Sequence, residues 1–267
     1  MFLFTFLSTF LVGGALYSLS LISILLAHEM GHFFMSRFYY VRVSFPFFIP
    51  FPVPPFGTLG AVIKMKSPIP NRRALFDIGL AGPLAGLIIA IPLIAIGFKL
   101  STIIPYSQGK ATALVLSDPP LFKFIQWIVI GRVKEGFDVQ LHPIAYAGWV
   151  GLFVTALNLL PIGQLDGGHI IYAIFGEKSK KVYLLFLLFL IIIAIFYNIG
   201  WFLLIVFMIL VGLKHPYPID DITPLDFPRK VMGTVAFLVF VLSFSPIPFP
   251  NLSMGLIDLL KIIVGGR

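Results

Sequence analysis

The stretch LISILLAHEMGHFF, residues 21–34, decides how this chain folds. It carries the pattern His-Glu-x-x-His at His28, Glu29 and His32, and no charged side chain precedes it between Met1 and Ala27. Ionisable groups are costly in hydrocarbon, so each of them needs a partner or a functional reason. On a helix, His28 and His32 are one turn apart and point the same way. The pattern therefore predicts two imidazole ligands for one tetrahedral zinc ion, with Glu29 as a candidate general base.

The composition indicates a membrane protein independently of this motif. Of the 267 residues, 59% are hydrophobic and 11% are charged, and the mean hydropathy is +1.02. A soluble domain carries about 25% charged residues. Four stretches contain no Asp, Glu, Lys or Arg, namely 78–98, 142–165, 182–213 and 231–250. Several of them reach the roughly 20 residues that a bilayer-crossing helix requires, so we expect an all-α polytopic membrane protein with about six transmembrane helices.

We expect residues 1–267 to form a single intramembrane domain, because no polar connection is long enough for a soluble one. The predicted order is a zinc-motif helix at about 10–37, a Pro/Gly-rich re-entrant segment at 43–66, a span at 75–98, an outer segment at 99–140, a span at 142–160 with an Asp166 motif at 158–169, and spans at 182–197, 200–213 and 231–247.

Two parts of this order depend on helix length. The residues before His28 are expected to form one long tilted helix, since the first 12 residues would cover only about 18 Å of a core about 30 Å thick. They are not expected to be a cleaved signal peptide, because the apolar run continues into the zinc motif. The run 182–213 exceeds one crossing, and it either breaks near Asn198-Ile199-Gly200 or remains one tilted helix.

The distribution of charge predicts the orientation. The net charge is +8, but the basic residues cluster between the first two spans rather than in a nucleic-acid-binding patch: Arg37, Arg42, Lys64, Lys66, Arg72 and Arg73. The positive-inside rule assigns such a loop to the cytoplasmic side, which puts the histidines nearer the cytosolic face of what we expect to be the cell membrane. There is no cysteine, so disulfides and thiolate ligands are excluded.

A second motif, NLLPIGQLDGGH at residues 158–169, supplies a further ligand candidate. Asp166 follows a long apolar run and has no adjacent Lys or Arg. A metal would satisfy this carboxylate, and two histidines with one carboxylate form a known catalytic zinc set that leaves a fourth position for water. The alternative is that Asp166 caps a short helix at 167–176. Asn158 would assist a developing oxyanion or position a scissile carbonyl, or else form an interhelical hydrogen bond.

The segment 43–66 is apolar but too rich in proline and glycine for a transmembrane helix. Residues 56–63 suit a β-hairpin or a re-entrant extended segment, and irregular backbone at membrane depth is tolerated where it lines a cavity. A helical substrate hides its peptide bonds, so an exposed strand edge would serve to bind it in extended form. The residues predicted to bind substrate in this way are Gly57, Thr58, Leu59, Gly60 and Ala61. The alternative is an interfacial loop that anchors the domain.

Three glycines recur in the second apolar stretch at spacings of three and four residues. Gly79, Gly82 and Gly86 therefore lie on one side of a helix. Small residues at this spacing allow close helix approach in lipid, so we expect them to serve packing.

The two motifs together resemble the site-2 protease family of intramembrane zinc metalloproteases. Further segments follow in an order similar to the compact archaeal and plastid-type branch, which lacks an inserted PDZ module: FFIP at 47–50, GTLGAVIKMK at 57–66, NRRALFD at 71–77 and AGPLAG at 81–86. The resemblance covers roughly residues 20–250.

The resemblance implies a zinc-dependent endopeptidase that hydrolyses peptide bonds within or near transmembrane segments of membrane proteins. It implies one Zn²⁺ per chain bound by His28, His32 and Asp166, with Glu29 as the catalytic acid and base and Asn158 assisting the substrate. The partners would be a transmembrane protein substrate and the lipid bilayer, and no nucleic acid. The alternative is a transporter or channel whose intramembrane histidines and acids conduct metal ions or protons.

Overall fold

The structure is a computed structural model that describes residues 1–105, 114–211 and 218–258. Within these residues the chain is mainly helical, as predicted. The helices are α1 (Phe2–Phe38), α2 (Arg72–Leu100), α3 (Pro120–Ile130), α4 (Pro143–Asn158), α5 (Asp166–Phe175), α6 (Ser179–Phe196), α7 (Trp201–Val211) and α8 (Phe227–Ser243). The strands are β1 (Phe47–Pro50), β2 (Thr58–Val62), β3 (Thr102–Pro105) and β4 (Phe137–Gln140), and short 3-10 turns lie at Gly176–Lys178 and Pro250–Leu252.

Three helical stretches in the described residues are long and apolar enough to cross a membrane: Phe2–Phe38, Arg72–Leu100 and Asp166–Phe196. The expected number of about six spans is not confirmed. Helices α4, α7 and α8 have 16, 11 and 17 residues, and at 1.5 Å per residue they reach about 24, 17 and 26 Å of a core about 30 Å thick. Residues 106–113 of the predicted outer segment and 212–213 of a predicted span lie outside the described residues.

The prediction of one long tilted helix at the N-terminus is wrong, because α1 reverses direction within its length. Gly14 leaves the helical conformation with φ 77° and ψ −176°. The Ser18 hydroxyl then donates a hydrogen bond to the Phe6 carbonyl at 3.1 Å and lies 2.6 Å from the Thr9 hydroxyl. Residues 6 and 18 would be about 18 Å apart in a continuous helix. The limb that carries the zinc motif therefore begins after Gly14, and the first limb folds back beside it.

The predicted hairpin is present as an antiparallel β1–β2 sheet. The pairing continues beyond the strands through a bridge between Val43 and Met65. Pro50 pairs with Thr58 after a register shift. The shift accommodates the proline, which has no N–H to donate a hydrogen bond to the neighbouring strand.

A second antiparallel pair, β3–β4, was not predicted. Its strands pair Thr102 with Gln140 and Pro105 with Phe137. About 30 residues of other structure separate the two strands, so no local turn signal marks them as a hairpin. Helix α3 lies in that interval and buries Phe122 and Ile125.

The core is formed chiefly by α1, α2 and α4. Helix α4 is buried along nearly its whole length, so protein rather than lipid surrounds it. Glycines allow the close approach: a Cβ atom at Gly97 would come 2.2 Å from the Ala145 backbone, and one at Gly151 would come 2.9 Å from the Ile24 side chain. A helix enclosed in this way can be shorter than the bilayer and be followed by irregular backbone.

The later helices present a large apolar surface. Leu185 of α6, Leu203 of α7 and Phe237 of α8 are more than half exposed. Large apolar side chains exposed on three successive helices are expected at a membrane or a protein interface. Together with the three long apolar helices, this surface makes the chain a membrane protein.

Arg229 connects α8 to α2 and to the end of α1 through hydrogen bonds. Its guanidinium donates to both oxygens of Asp77 in α2, at 2.9 and 2.6 Å, and to the Asp226 carboxylate. The Tyr39 hydroxyl, just after α1, donates to Asp77. Partial burial opposes ionisation of Asp226, but the Arg229 N–H and guanidinium hold its pKa below the usual range. The ion pair between Arg229 and Asp226 therefore persists at neutral pH.

Replacing Arg229 with Met should lower the free energy of unfolding by about 1–3 kcal/mol, because it leaves the largely buried Asp77 carboxylate without its cation. Lys230→Met is the matched control at an exposed neighbouring position, where a change within about 0.5 kcal/mol is expected. Thermal or chemical unfolding in detergent measures both. Equal stability of the two variants would contradict this role.

Candidate metal centre

The motif-bearing limb of α1 places three ionisable side chains inside the protein. His28 and Glu29 are buried, with 4% and 6% of their surface exposed. The His32 side chain is 13% exposed. Helical spacing puts His28 and His32 on the same face, where their ring centroids are 4.9 Å apart.

The connection between α4 and α5 carries Asp166 to these rings. Gly163 adopts φ 57°, which favours glycine. A Cβ atom at Gly167 would lie 2.0 Å from the Leu159 carbonyl oxygen, and one at Gly168 would lie 2.3 Å from the Gly163 carbonyl oxygen. The glycines of the second motif therefore allow a tight reversal. Asp166 emerges as the first residue of α5.

The alternative role of Asp166 as a helix cap does not describe this geometry, because the residue that caps α5 is Leu165. An acid in the first helical turn is nevertheless favoured, since the N-terminal end of the helix dipole is positive.

The structure brings the three predicted ligands together. His28 Nε2 is 3.1 Å from Asp166 Oδ2, and His32 Nε2 is 3.3 Å from Asp166 Oδ1. The two Nε2 atoms are 3.2 Å apart. Among the residues that the structure describes, these three form the group of His, Asp and Glu side chains able to hold a metal ion.

These spacings fit zinc. Zinc bonds to histidine nitrogen and carboxylate oxygen are about 2.0–2.2 Å long, so two ligand atoms on a tetrahedral ion are about 3.3–3.5 Å apart. The charges fit as well. Glu29 and Asp166 are acidic, and in the described part of the chain the basic groups within 4 Å of the Asp166 carboxylate are the two imidazoles rather than a lysine or an arginine. A dication would balance two carboxylates that are otherwise costly to bury.

Two further groups contact the imidazoles. The Asn158 amide nitrogen lies 3.3 Å from His28 Nε2, so this predicted residue reaches the same site. The Ile78 carbonyl oxygen lies 2.7 Å from His32 Nδ1. A carbonyl only accepts, so His32 Nδ1 carries a proton, and in the neutral imidazole Nε2 then faces the other ligands with a free lone pair.

The sequence did not indicate Ile78 as part of the site, and it indicated the α2 glycines only as packing residues. A Cβ atom at Gly86 would lie 3.3 Å from His28, and one at Gly79 would lie 3.3 Å from the Asp166 carbonyl oxygen. The glycine face of α2 therefore packs against the ligands themselves. The regular glycine spacing was the available signal, but it does not say what packs there.

The hairpin runs alongside α1 past the level of the histidines. Near one end, Phe45 stacks on Phe33 with centroids 5.4 Å apart. At the tip, the Tyr17 hydroxyl donates to the Phe56 carbonyl at 2.8 Å. Since His28 lies between Tyr17 and Phe33 on the same helix, the strands extend across its level.

The five residues predicted to bind substrate differ in exposure. Gly57, Thr58 and Gly60 are buried, Ala61 is half-buried and Leu59 is 64% exposed. The Gly57 carbonyl already accepts hydrogen bonds from the Ser8 hydroxyl at 2.6 Å and the Phe51 N–H at 3.2 Å. Gly57 and Thr58 therefore hold the hairpin in place, and the accessible part of the segment is centred on Leu59.

Comparison with known sequences identifies the family. The family model described as Peptidase family M50 matches residues 16–197, more than half of the chain, including both motifs. This chain belongs to peptidase family M50, the site-2 protease family.

Several relatives carry the name of a probable zinc metalloprotease. The chain is 37% identical to "Probable zinc metalloprotease EGY1, chloroplastic" of Oryza sativa subsp. japonica over 59% of this chain and 28% of the relative. The EGY1 protein of Arabidopsis thaliana is 38% identical over 59% of this chain and 29% of the relative. EGY2 of Oryza sativa subsp. indica is 29% identical over 90% of this chain and 43% of the relative. The matches thus span less than half of each relative.

Asp166→Asn should weaken zinc binding by at least about 100-fold, because it removes the one carboxylate that pairs with both imidazoles. Competition with a chromogenic chelator on purified protein in detergent measures the affinity. Asp138→Asn, at an exposed position in β4, is the control for loss of an acidic group and should bind zinc as the unaltered protein does. Equal affinity of the two variants would exclude Asp166 as a ligand.

Proposed function

We propose that this protein is a zinc-dependent intramembrane endopeptidase that hydrolyses peptide bonds within or near transmembrane segments of membrane proteins. The observation that carries the proposal is the group of His28, His32 and Asp166, with ligand atoms at zinc-like spacings. Membership of a peptidase family supports it. The transporter or channel alternative is not favoured, because that family and the named relatives are proteases.

The proposed roles follow from the positions of the side chains. His28, His32 and Asp166 hold one zinc ion per chain, which when bound lowers the pKa of water to about 7 and polarises a carbonyl group. Glu29 accepts a proton from the attacking water and delivers it to the leaving amine. The Asn158 amide donates a hydrogen bond to the oxygen of the scissile carbonyl as negative charge develops there.

The proposed substrate is a transmembrane segment that unwinds locally and lies along the hairpin. An α-helical segment keeps its peptide bonds within its own hydrogen bonds, whereas an extended one exposes them. In the described part of the chain β1 and β2 form a two-stranded sheet, so each has one edge that is not paired with a further strand. Leu59 of β2 is 64% exposed, so this part of the strand is accessible to another chain.

Substrate contact at this edge is tested by crosslinking. A photoreactive phenylalanine analogue at Leu59 should crosslink a reconstituted transmembrane substrate, because that side chain is exposed beside the proposed path. The same analogue at Leu203, which is 79% exposed on α7, is the control and should react with lipid or detergent instead. Equal substrate crosslinking at both positions would argue against the hairpin as the substrate-binding element.

We further propose that residues 1–267 act as one membrane domain with about six crossings, in which the shorter helices α4, α7 and α8 complete the bundle. By the positive-inside rule, the metal centre would lie nearer the face that carries Arg37 and Arg42, the cytosolic face if the membrane is the cell membrane. The plant relatives are named as chloroplastic, so their names do not support the cell membrane in particular.

Glu29→Gln should reduce cleavage of a reconstituted substrate by at least about 100-fold while zinc remains bound, because the variant loses proton transfer and keeps all three ligands. Glu135→Gln, at an exposed position, is the matched control and should cleave normally. Mass spectrometry of the substrate detects new peptide termini, and metal analysis reports bound zinc. Normal cleavage by Glu29→Gln would refute the role, and ion flux in liposomes without new termini would favour a transporter.

A further inference from the structure

Gly82 of α2 provides the space in which the His32 ring lies. A Cβ atom at residue 82 would be 2.0 Å from His32 Nε2, 2.4 Å from Cε1 and 2.5 Å from Cδ2, and such atoms essentially never approach closer than 3.0 Å. The obstruction involves one whole edge of the imidazole. A methyl group at residue 82 is therefore incompatible with the observed position of the ligand.

Ile78, one helical turn before Gly82, contacts the other side of the same ring. Its carbonyl oxygen accepts a hydrogen bond from His32 Nδ1 at 2.7 Å. This bond leaves His32 Nε2 as the nitrogen with a free lone pair. That Nε2 atom is the one that lies 3.2 Å from His28 Nε2 and 3.3 Å from Asp166 Oδ1.

We propose that the Ile78–Gly82 turn of α2 is a positioning element for metal binding. Gly82 admits the imidazole, and the Ile78 carbonyl determines which ring nitrogen faces the ion. The inference rests on the proposed zinc centre and adds two residues that do not themselves touch metal or substrate. Loss of a partner that orients a ligating histidine typically costs 10- to 100-fold in metal affinity.

A second glycine of α2 provides a matched control. A Cβ atom at Gly97 would come 2.2 Å from the Ala145 backbone, so Gly97→Ala disturbs the packing of the same helix about as severely as Gly82→Ala. Gly97 is 15 residues further along α2, about 22 Å from Gly82. The pair therefore separates damage to helix packing from damage to the ligand.

The test is zinc affinity measured by chelator competition, with Co²⁺ absorption as a spectroscopic readout. Gly82→Ala should lower the affinity by about 10- to 100-fold and shift the Co²⁺ bands, whereas Gly97→Ala should change neither. In a His32→Ala background, Gly82→Ala should have no further effect, because its action requires that ring. An affinity of Gly82→Ala within twofold of the unaltered protein, or an equal loss in both glycine variants, would overturn the proposal.

A measurement on the unaltered protein does not depend on the folding of any variant. ¹⁵N NMR of histidine-labelled, zinc-loaded protein should show His32 with a protonated Nδ1 and a ligated Nε2. The reverse pattern would overturn the role of Ile78. If the unaltered protein binds no zinc, the proposed function itself fails. If it binds zinc and Gly82→Ala binds equally well, only this inference fails.

Discussion

A buried pair of carboxylates needs a cation, and this requirement organises the centre of the molecule. Glu29 and Asp166 lie among apolar helices, where an unpaired charge is very costly. The imidazoles of His28 and His32 are neutral in the ligand state, so they supply lone pairs but no charge. A divalent ion would balance the negative charge of the carboxylates and accept the lone pairs of the imidazoles at one position. The same ion would then link α1 to the start of α5, although 127 residues, 39–165, separate the two helices along the chain.

The close packing of α2 against α1 leaves space in which the ligand side chains can converge on one position. Ordinary side chains on the facing surface of α2 would occupy the volume of the imidazoles, as the clash at Gly82 shows. A second close contact between the two helices lies at Gly31 of α1, where a Cβ atom would be 2.3 Å from the Ala81 carbonyl oxygen. Backbones that approach this closely bring a main-chain carbonyl within reach of a histidine. The same close packing of α1 and α2 therefore also orients a histidine ligand.

The sequence predicted the parts of the site that depend on local spacing. His28 and His32 lie on one helix, so their separation follows from helical geometry. Asp166 was predicted as a ligand because an acid that follows a long apolar run with no adjacent Lys or Arg needs a cation. The contact of Ile78 with His32 could not be predicted, because any residue type has a carbonyl group and only the tertiary fold selects one. The resemblance to a known family assigned His28, His32 and Asp166 to one zinc ion.

The fold was harder to predict where it depends on contacts between residues that are distant in sequence, because the length of an apolar run does not report them. The break at Gly14 was visible as a glycine pair, but the hydrogen bonds of Ser18 to the first limb were not. The expected number of about six spans is not confirmed, because hydropathy does not distinguish a helix buried in protein, such as α4, from one that faces lipid. The β3–β4 pair escaped prediction because its strands are distant in sequence.

X-ray absorption spectroscopy at the zinc edge of purified, zinc-loaded protein would identify the atoms bound to the metal. Binding by His28, His32 and Asp166 should give a four-coordinate shell with two imidazole nitrogens at about 2.0–2.1 Å and oxygen ligands at about 2.0–2.2 Å. The scattering of exactly two imidazole rings should be visible beyond the first shell. A spectrum with no imidazole, or with only one, would contradict the account.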